Sequence, residues 1–316
     1  MYIMKLKPAF KDYLWGGTRL RDDFGLKCDL EKIAEGWMLS CHKDGNSTIE
    51  NGEFKGLTLR EAIEKSDTSL IGTNAEAFPD FPILIKLIDA KQNLSIQVHP
   101  DDEYALRVEH EFGKTEMWYV VDCDEGSYLY YGFKEKTTKE EFKKAIESNT
   151  LTDILNKVEV KKGDCFFIES GTVHAIGAGL LIAEIQQNSN TTYRVYDYGR
   201  VGADGKPREL HTEKALEVTV TAPPTYPVLQ DNGEIETTLA ECKYFTVKKY
   251  TVGASSVRPH SIELNVDNTS FSSILCVEGQ CTVGDVELKC GECVFIPAGF
   301  GSVIITGNAT LLESRV

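Results

Sequence analysis

The chain has 316 residues and a mass of 35.2 kDa, room for one large domain or two ordinary ones, with 41% hydrophobic and 26% charged residues, as in soluble globular proteins. No run of about 18 apolar residues occurs, which argues against a membrane span. A formal net charge of −15 argues against nucleic acid as a partner, because a phosphate backbone needs a basic footprint, and it obliges any anionic substrate to find a local cationic patch.

The opening M-Y-I-M-K-L-K-P has no apolar signal core. Turn signals between short β-rich runs then dominate. A helix is expected over 57–66, where Thr58 and Glu61 have the spacing of a capping box. Strands are expected at 83–88, 94–98, 117–121 and 128–131. The capping signal recurs at Thr138 and Glu141, heading a helix over 138–148 with Phe142, Ala145 and Ile146 on one face. One further short helix is expected at 151–158, then strands at 165–169 and 180–186. Beyond Thr221, A-P-P-T-Y-P reads as a linker, and only strands follow, at 245–252, 271–277, 281–283, 293–296 and 302–306. The expected fold is mainly β, with a small number of helices clustered in the N-terminal half and two domains, 1–227 and 228–316. The nine cysteines form no C-x-x-C pair beyond Cys290 and Cys293, whose intervening Gly291 and Glu292 belong to a turn. Reduced thiols and a cytoplasmic protein are expected.

An internal repeat sharpens the fold. K-K-G-D-C-F-F-I-E-S-G-T-V-H matches K-C-G-E-C-V-F-I-P-A-G-F-G-S, with Gly163 on Gly291 and Gly171 on Gly299, both pairs 128 residues apart. The shared pattern is a strand between two glycine turns, and two such units suggest a duplicated antiparallel barrel or jelly roll. Ser302 stands in the second copy where His174 stands in the first, so metal is expected in the first alone.

Four residues are candidate metal ligands: Gln97, His99, Glu116 and His174. Gln97 and His99 are two apart on an expected strand and so point to one face. Two imidazoles, a carboxylate and an uncharged amide oxygen suit Zn²⁺ or another borderline divalent ion, and would leave it a strong Lewis acid. On residue type alone, Gln97 serves equally as a donor that orients a ligand. Lys114 fits a solvated face as well, and Arg194 a core-edge arginine stacked between Tyr193 and Tyr196. His42, His110, His211 and His260 have no partnered pattern, and Asp101 and Asp102 read as the cap of a turn after Pro100.

The repeat resembles the cupin signature, and the chain as a whole resembles the type I mannose-6-phosphate isomerases in their short bacterial form. The resemblance runs through W-G-G at 15–17, A-E-G-W-M-L-S-C-H at 34–42, P-I-L-I-K-L-I-D-A-K-Q-N-L-S-I-Q-V-H-P-D-D at 82–102, G-K-T-E-M-W-Y at 113–119, G-T-V-H-A-I-G at 171–177 and E-I-Q-Q-N-S-N-T-T-Y-R-V-Y-D-Y-G-R at 184–200. It implies two cupin-like barrels, the first catalytic, with one zinc per chain on His99, Glu116, His174 and, as a fourth ligand, Gln97. It further implies Arg194 as a catalytic residue and Lys114 as the active-site lysine. The implied substrate is a small phosphorylated sugar: mannose 6-phosphate and fructose 6-phosphate would interconvert by proton transfer through an enediol(ate), in a monomer or homodimer. Lys114 is then a candidate base, and Arg194, Lys114 or the basic segment 200–208 would hold the phosphate. Two positions depart from the family pattern: Asn190 stands where relatives often carry Asp, and Gly36 where Ser is usual. Competing readings are another metal-dependent cupin enzyme, such as a different sugar-phosphate isomerase or an iron oxygenase, and a non-catalytic sugar-binding cupin. The last would need the pocket but not Arg194 and Lys114 beside a full metal site.

Overall fold

The structure, a computed structural model, describes residues 1–66, 70–202, 205–231, 233–253 and 259–316. Of the segment 200–208, Ala203 and Asp204 lie outside the described residues. The fold is mainly β, as expected, and is built from three large antiparallel sheets.

The first barrel is made of two of them. In the six-stranded sheet the order is Cys165–Ile168, Glu116–Cys123, Leu180–Gln187, Ile83–Ala90, Glu35–Leu39 and Ala9–Lys11. In the five-stranded sheet it is Leu155–Glu159, Tyr128–Phe133, His174–Ile176, Ile96–Val98 and Tyr193–Tyr196. Trp118, Val120, Phe166, Ile182 and Ile88 from the first sheet meet Leu129, Tyr131 and Ile176 from the second in one apolar core.

The third sheet has nine strands and forms the C-terminal barrel, closed around Val252, Val266, Ile274, Val294, Ile305 and Leu311. Its outer face packs on the six-stranded sheet, where Met117, Tyr119, Leu181 and Ile185 share a core with Phe245, Phe271, Phe295 and Leu312. The six-stranded sheet is therefore covered on both sides. That explains why Ile83–Ala90 and Leu180–Gln187 read as near-continuous apolar runs without alternation: every residue in both is buried. The strand Met4–Lys7 also belongs to the third sheet, pairing Met4 with Phe295 and Leu6 with Cys293. The first residues of the chain thus complete the sheet of its last ninety or so, a long-range pairing with no local sequence signal.

The repeat is visible in the backbone. Gly163, Gly171, Gly291 and Gly299 have φ of +92°, +88°, +82° and +76°, where a side chain would be strained. Asp164 accepts the Lys161 N–H at 2.8 Å, and Glu292 accepts the Lys289 N–H at 2.7 Å, so the acid of each copy locks the same turn. The strands that follow, Cys165–Ile168 and Cys293–Ile296, pair antiparallel with Glu116–Cys123 and Ser272–Val283.

Both capping boxes form, ahead of Leu59–Ser66 and Lys139–Glu147, and Phe142, Ala145 and Ile146 are buried as their spacing predicts. Elsewhere the structure corrects the sequence reading. Residues 151–158 divide into a single turn of helix, Leu151–Ile154, and the strand Leu155–Glu159, which finds a partner in Tyr128–Phe133. Asp101 caps a helix, Asp102–Val108, and not merely a turn: its carboxylate accepts the Tyr104 N–H at 2.9 Å. A last helix, Thr212–Val218, has no cap in its sequence and forms by packing. The expected strands 271–277 and 281–283 are one, Ser272–Val283, bulged between Cys276 and Glu278. The A-P-P-T-Y-P segment lies on the first barrel, with the Tyr226 ring tilted against that of Phe167 at 4.7 Å. No described helix is long and apolar enough to cross a membrane.

Candidate metal centre and active-site cavity

Gln97 lies in the strand Ile96–Val98, and His99 follows it two residues on. His174 opens its own strand opposite Gln97, and Arg194 stands opposite Gln97 on the other side. Glu116 opens a strand of the facing sheet. The ligand atoms of His99, Glu116 and His174 all lie within 4.8 Å of one another, and all three residues are buried.

The backbone fixes both imidazoles. His99 Nδ1 donates to the Thr191 carbonyl at 2.9 Å, and His174 Nδ1 donates to the Thr172 carbonyl at 2.8 Å. Each ring therefore turns the lone pair of Nε2 inward, the tautomer a metal ligand requires. His174 Nε2 stands 3.3 Å from Glu116 Oε1, and His99 Nε2 stands 3.6 Å from Glu116 Oε2. Acceptor faces acceptor, and Glu116 Oε1 has no hydrogen-bond partner among the described residues. A divalent cation satisfies such a set, so the residues fit a metal. The Gln97 amide nitrogen lies 3.5 Å from His174 Nε2; a half-turn of that amide presents its oxygen to the same point.

Electrostatics favours the metal-binding protonation states of the histidines. Burial, then the Lys114 charge, holds His174 down at about 3, and the same two causes hold His99 well below its ordinary value, so both rings are neutral. Burial, then Glu184, pushes Glu116 up to about 7 against the pull of Lys114. A carboxyl so placed gives up its proton readily to a bound cation.

Lys114 is not on a solvated face. Its Nζ contacts Glu116 Oε2, donates to His99 Nε2 at 3.1 Å and lies 3.7 Å from Glu184 Oε1. Sequence reasoning assigned no role to Glu184, Lys86, Trp118 or Trp37, yet these form one row across four strands: Trp37 opposite Lys86, Lys86 opposite Glu184, Glu184 opposite Trp118. Trp118 Nε1 donates to Glu184 Oε2 at 2.8 Å, and Lys86 Nζ lies 3.0 Å from Glu184 Oε1. Burial alone would raise the Glu184 pKa, but Lys114 and Lys86 outweigh it and hold the group at about 2, ionised. Trp118 also meets the His174 ring edge to face at 5.2 Å. A single lysine in Ile83–Ala90 and a single glutamate in Leu180–Gln187, both near-continuous apolar runs, were the available signal, since buried opposite charges must meet.

A cavity of about 310 Å³ opens onto this cluster. Gln97, Lys114, Lys86 and Glu184 line it next to the cluster, together with Ser95, Arg194 and Arg208 and with Tyr13, Trp15, Leu94 and Ile176. Arg194 Nε donates to Ser95 Oγ at 3.2 Å and its guanidinium to the Glu209 carbonyl at 2.9 Å. It makes no salt bridge and no ring stack among the described residues, whereas Arg200 and Arg208 both grip Asp197. Burial and the neighbouring Arg208 charge lower the Arg194 pKa. Three arginines against Asp197 and Glu209 leave this part of the wall cationic in a chain of net charge −15. Asn190 sits at the rim, donating to Asp44 at 3.0 Å. His42 is buried outside the metal cluster, accepting the Asp44 N–H at 3.1 Å and facing Glu111 at 3.3 Å.

Comparison with known proteins bears on the same architecture. Residues 3–127 match the family described as phosphomannose isomerase type I, catalytic domain, and residues 235–316 match mannose-6-phosphate isomerase, cupin domain. A mannose-6-phosphate isomerase of Bacillus subtilis is 40% identical over 98% of both chains, and one of Streptococcus mutans is 38% identical over 98% of this chain and 97% of the other. The crystal structure of a Bacillus subtilis mannose 6-phosphate isomerase superposes with a TM-score of 0.88 at 36% identity, covering 100% of each chain. The chain belongs to the type I phosphomannose isomerase family.

Proposed function

We propose that this protein is a zinc-dependent mannose-6-phosphate isomerase that interconverts mannose 6-phosphate and fructose 6-phosphate through an enediol(ate). One observation carries the reading: a single cavity is lined both by Lys114, which contacts the buried His₂–Glu cluster, and by Arg194 and Arg208, which make part of its wall cationic. That lining suits a sugar with a carbonyl at one end and a phosphate at the other.

His99, Glu116 and His174 would hold the zinc, with Gln97 as the fourth ligand, and the ion would supply Lewis-acid polarisation of a substrate oxygen. Arg194, with Arg208 and the Ser95 hydroxyl, binds the phosphate through charge-assisted hydrogen bonds. Lys114 holds or moves the proton exchanged between C1 and C2, and together with Lys86 it stabilises the negative charge that grows on the carbonyl oxygen. Glu184 stays ionised and keeps both ammonium groups directed into the cavity. Trp15, Leu94 and Ile176 restrict water along the sugar. Residues 1–227 make the catalytic unit and 228–316 a second unit without ligands. The nine free cysteines, five of them buried, support a cytoplasmic setting.

A coupled assay with mannose 6-phosphate tests this reading. Chelation should abolish turnover and about one equivalent of zinc per chain should restore it, whereas turnover that survives chelation, or iron as the sole activating metal, would overturn it. Arg194→Ala should keep zinc and lose roughly 10²–10³ in kcat/KM, about 2–4 kcal/mol of transition-state stabilisation. Arg194→Lys should recover part of that, since the planar fork is not reproduced.

A further inference from the structure

The segment that presents Lys114 is held by three successive backbone N–H groups. Gly113 N–H donates to Asp102 Oδ1 at 3.0 Å, Lys114 N–H to the Pro100 carbonyl at 3.0 Å, and Thr115 N–H to Gln187 Oε1 at 2.9 Å. The fit is tight: a Cβ at Gly113 would come within 2.5 Å of the Asp101 and Asp102 backbone. Two of the three acceptors are themselves linked, because Gln187 Nε2 donates to Asp102 Oδ1 at 2.8 Å. The other oxygen of Asp102 accepts a hydrogen bond of 2.7 Å from the hydroxyl of Tyr244. Tyr244 belongs to the C-terminal unit, between Glu236–Glu241 and Thr246–Val252, and its ring is buried on the shared core beside Phe78.

One carboxylate therefore joins the second barrel to the backbone on both sides of the active-site lysine. A charged acceptor with three oriented donors is stiff, and its bonds are of the strong, charge-assisted kind. Removing one donor loosens the group and, through it, Gly113 and the amide that orients Thr115. Lys114 Nζ then loses registration against Glu116, His99 and Glu184 without any of those side chains changing.

We propose that Tyr244 is a positioning residue for Lys114, acting through Asp102, so that the metal-free barrel sets the geometry of catalysis in the other. The proposal rests on the role given to Lys114 above. It makes the second barrel a working part of the active site, although none of its residues lines the cavity.

Tyr244→Phe removes the hydroxyl and keeps the ring, and Asp102→Asn keeps the shape of the acceptor and removes its charge. In zinc-loaded full-length protein, Tyr244→Phe should leave zinc content and KM within about twofold and lower kcat by about tenfold, the scale of a small misplacement. Asp102→Asn should lower kcat further. Amide exchange at Gly113 and Thr115 should speed up in both variants while the strand Glu116–Cys123 keeps its protection. In a Lys114→Met background, Tyr244→Phe should have no further effect on kcat, since the residue it positions is gone. An additive loss in that background, or unchanged exchange at Gly113 and Thr115, would overturn the proposal. So would loss of zinc or a melting temperature lowered by more than about 10 °C in Tyr244→Phe, because Tyr244 would then be a general structural staple. Full activity in Lys114→Met alone would refute the role given to Lys114 and leave the exchange measurement to judge the Tyr244–Asp102 link by itself.

Discussion

In the first barrel the turn at Gly171 leads to His174, buried and aimed at Glu116; in the second, the matching turn at Gly299 leads to Ser302, exposed and bonded to Glu263. The turns are alike in backbone, in positive φ at both glycines and in the acid that locks the preceding loop. What differs is what stands across from them. His174 lies between Gln97 and Tyr131 in a sheet covered by a second sheet, whereas Ser302 lies opposite Asn265 on the strand Gly301–Arg315. The repeat thus specifies a barrel corner, and chemistry depends on side chains supplied by other strands.

Deleting the second copy breaks the comparison most severely. A fragment ending at Pro227 would bare the face where Met117, Tyr119, Leu181 and Ile185 meet Phe245, Phe271, Phe295 and Leu312, and would leave Met4–Lys7 without Cys293–Ile296. Each large side chain contributes roughly 1.5–3 kcal/mol when buried, so losing the partners of four amounts to about 6–12 kcal/mol, comparable with the whole stability of a domain. Expressed alone, 1–227 should aggregate, as size-exclusion chromatography will show. A soluble fragment with full zinc and normal turnover would instead make the barrels independent units.

Next in size is the loss of the side chain that distinguishes the copies. His174→Ala should lose zinc and at least about 10³ in kcat/KM, the scale of several kcal/mol from a Lewis acid, and His99→Ala should do the same. Elemental analysis beside the coupled assay checks both. A full equivalent of zinc retained by either variant would move the metal away from this cluster.

The comparison also marks what could be read in the sequence and what could not. The repeat, both capping boxes and the i, i+2 pair Gln97 and His99 are local signals, and each appears in the fold where its spacing puts it. Glu116 and His174 join them because a motif names them, not because spacing does. The row Trp37, Lys86, Glu184, Trp118 depends on the register of four strands, which no single segment encodes. Asp102 was hidden differently. Its position suited a turn cap, but its carboxylate is taken by Gly113, Gln187 and Tyr244, residues that only tertiary structure brings near. Residues 155–158 misled as a helix because a short amphipathic run fits either period, and pairing with Tyr128–Phe133 decided it.

The smallest effect is expected from giving the second copy the residue it lacks. Ser302→His would place an imidazole on an exposed position whose carboxylate hydrogen-bond partner among the described residues is Glu263. In the first barrel the Thr172 carbonyl fixes the tautomer of the imidazole, His99 and Glu116 place donor atoms within 4.8 Å, and burial keeps the ring neutral. Of these, only the backbone carbonyl two residues before the ring comes with the turn; the facing donors and the burial do not. An exposed histidine beside a single carboxylate stays mobile and solvated, and two donors do not make a tetrahedral site. Zinc should therefore remain at one equivalent, with stability within about 0.5 kcal/mol of the parent, as for most surface substitutions. Equilibrium dialysis against zinc, followed by elemental analysis, reads this directly. A second equivalent bound by Ser302→His would mean that the glycine turn alone carries the information for a ligand site, and the contrast drawn between Gly171 and Gly299 would fail.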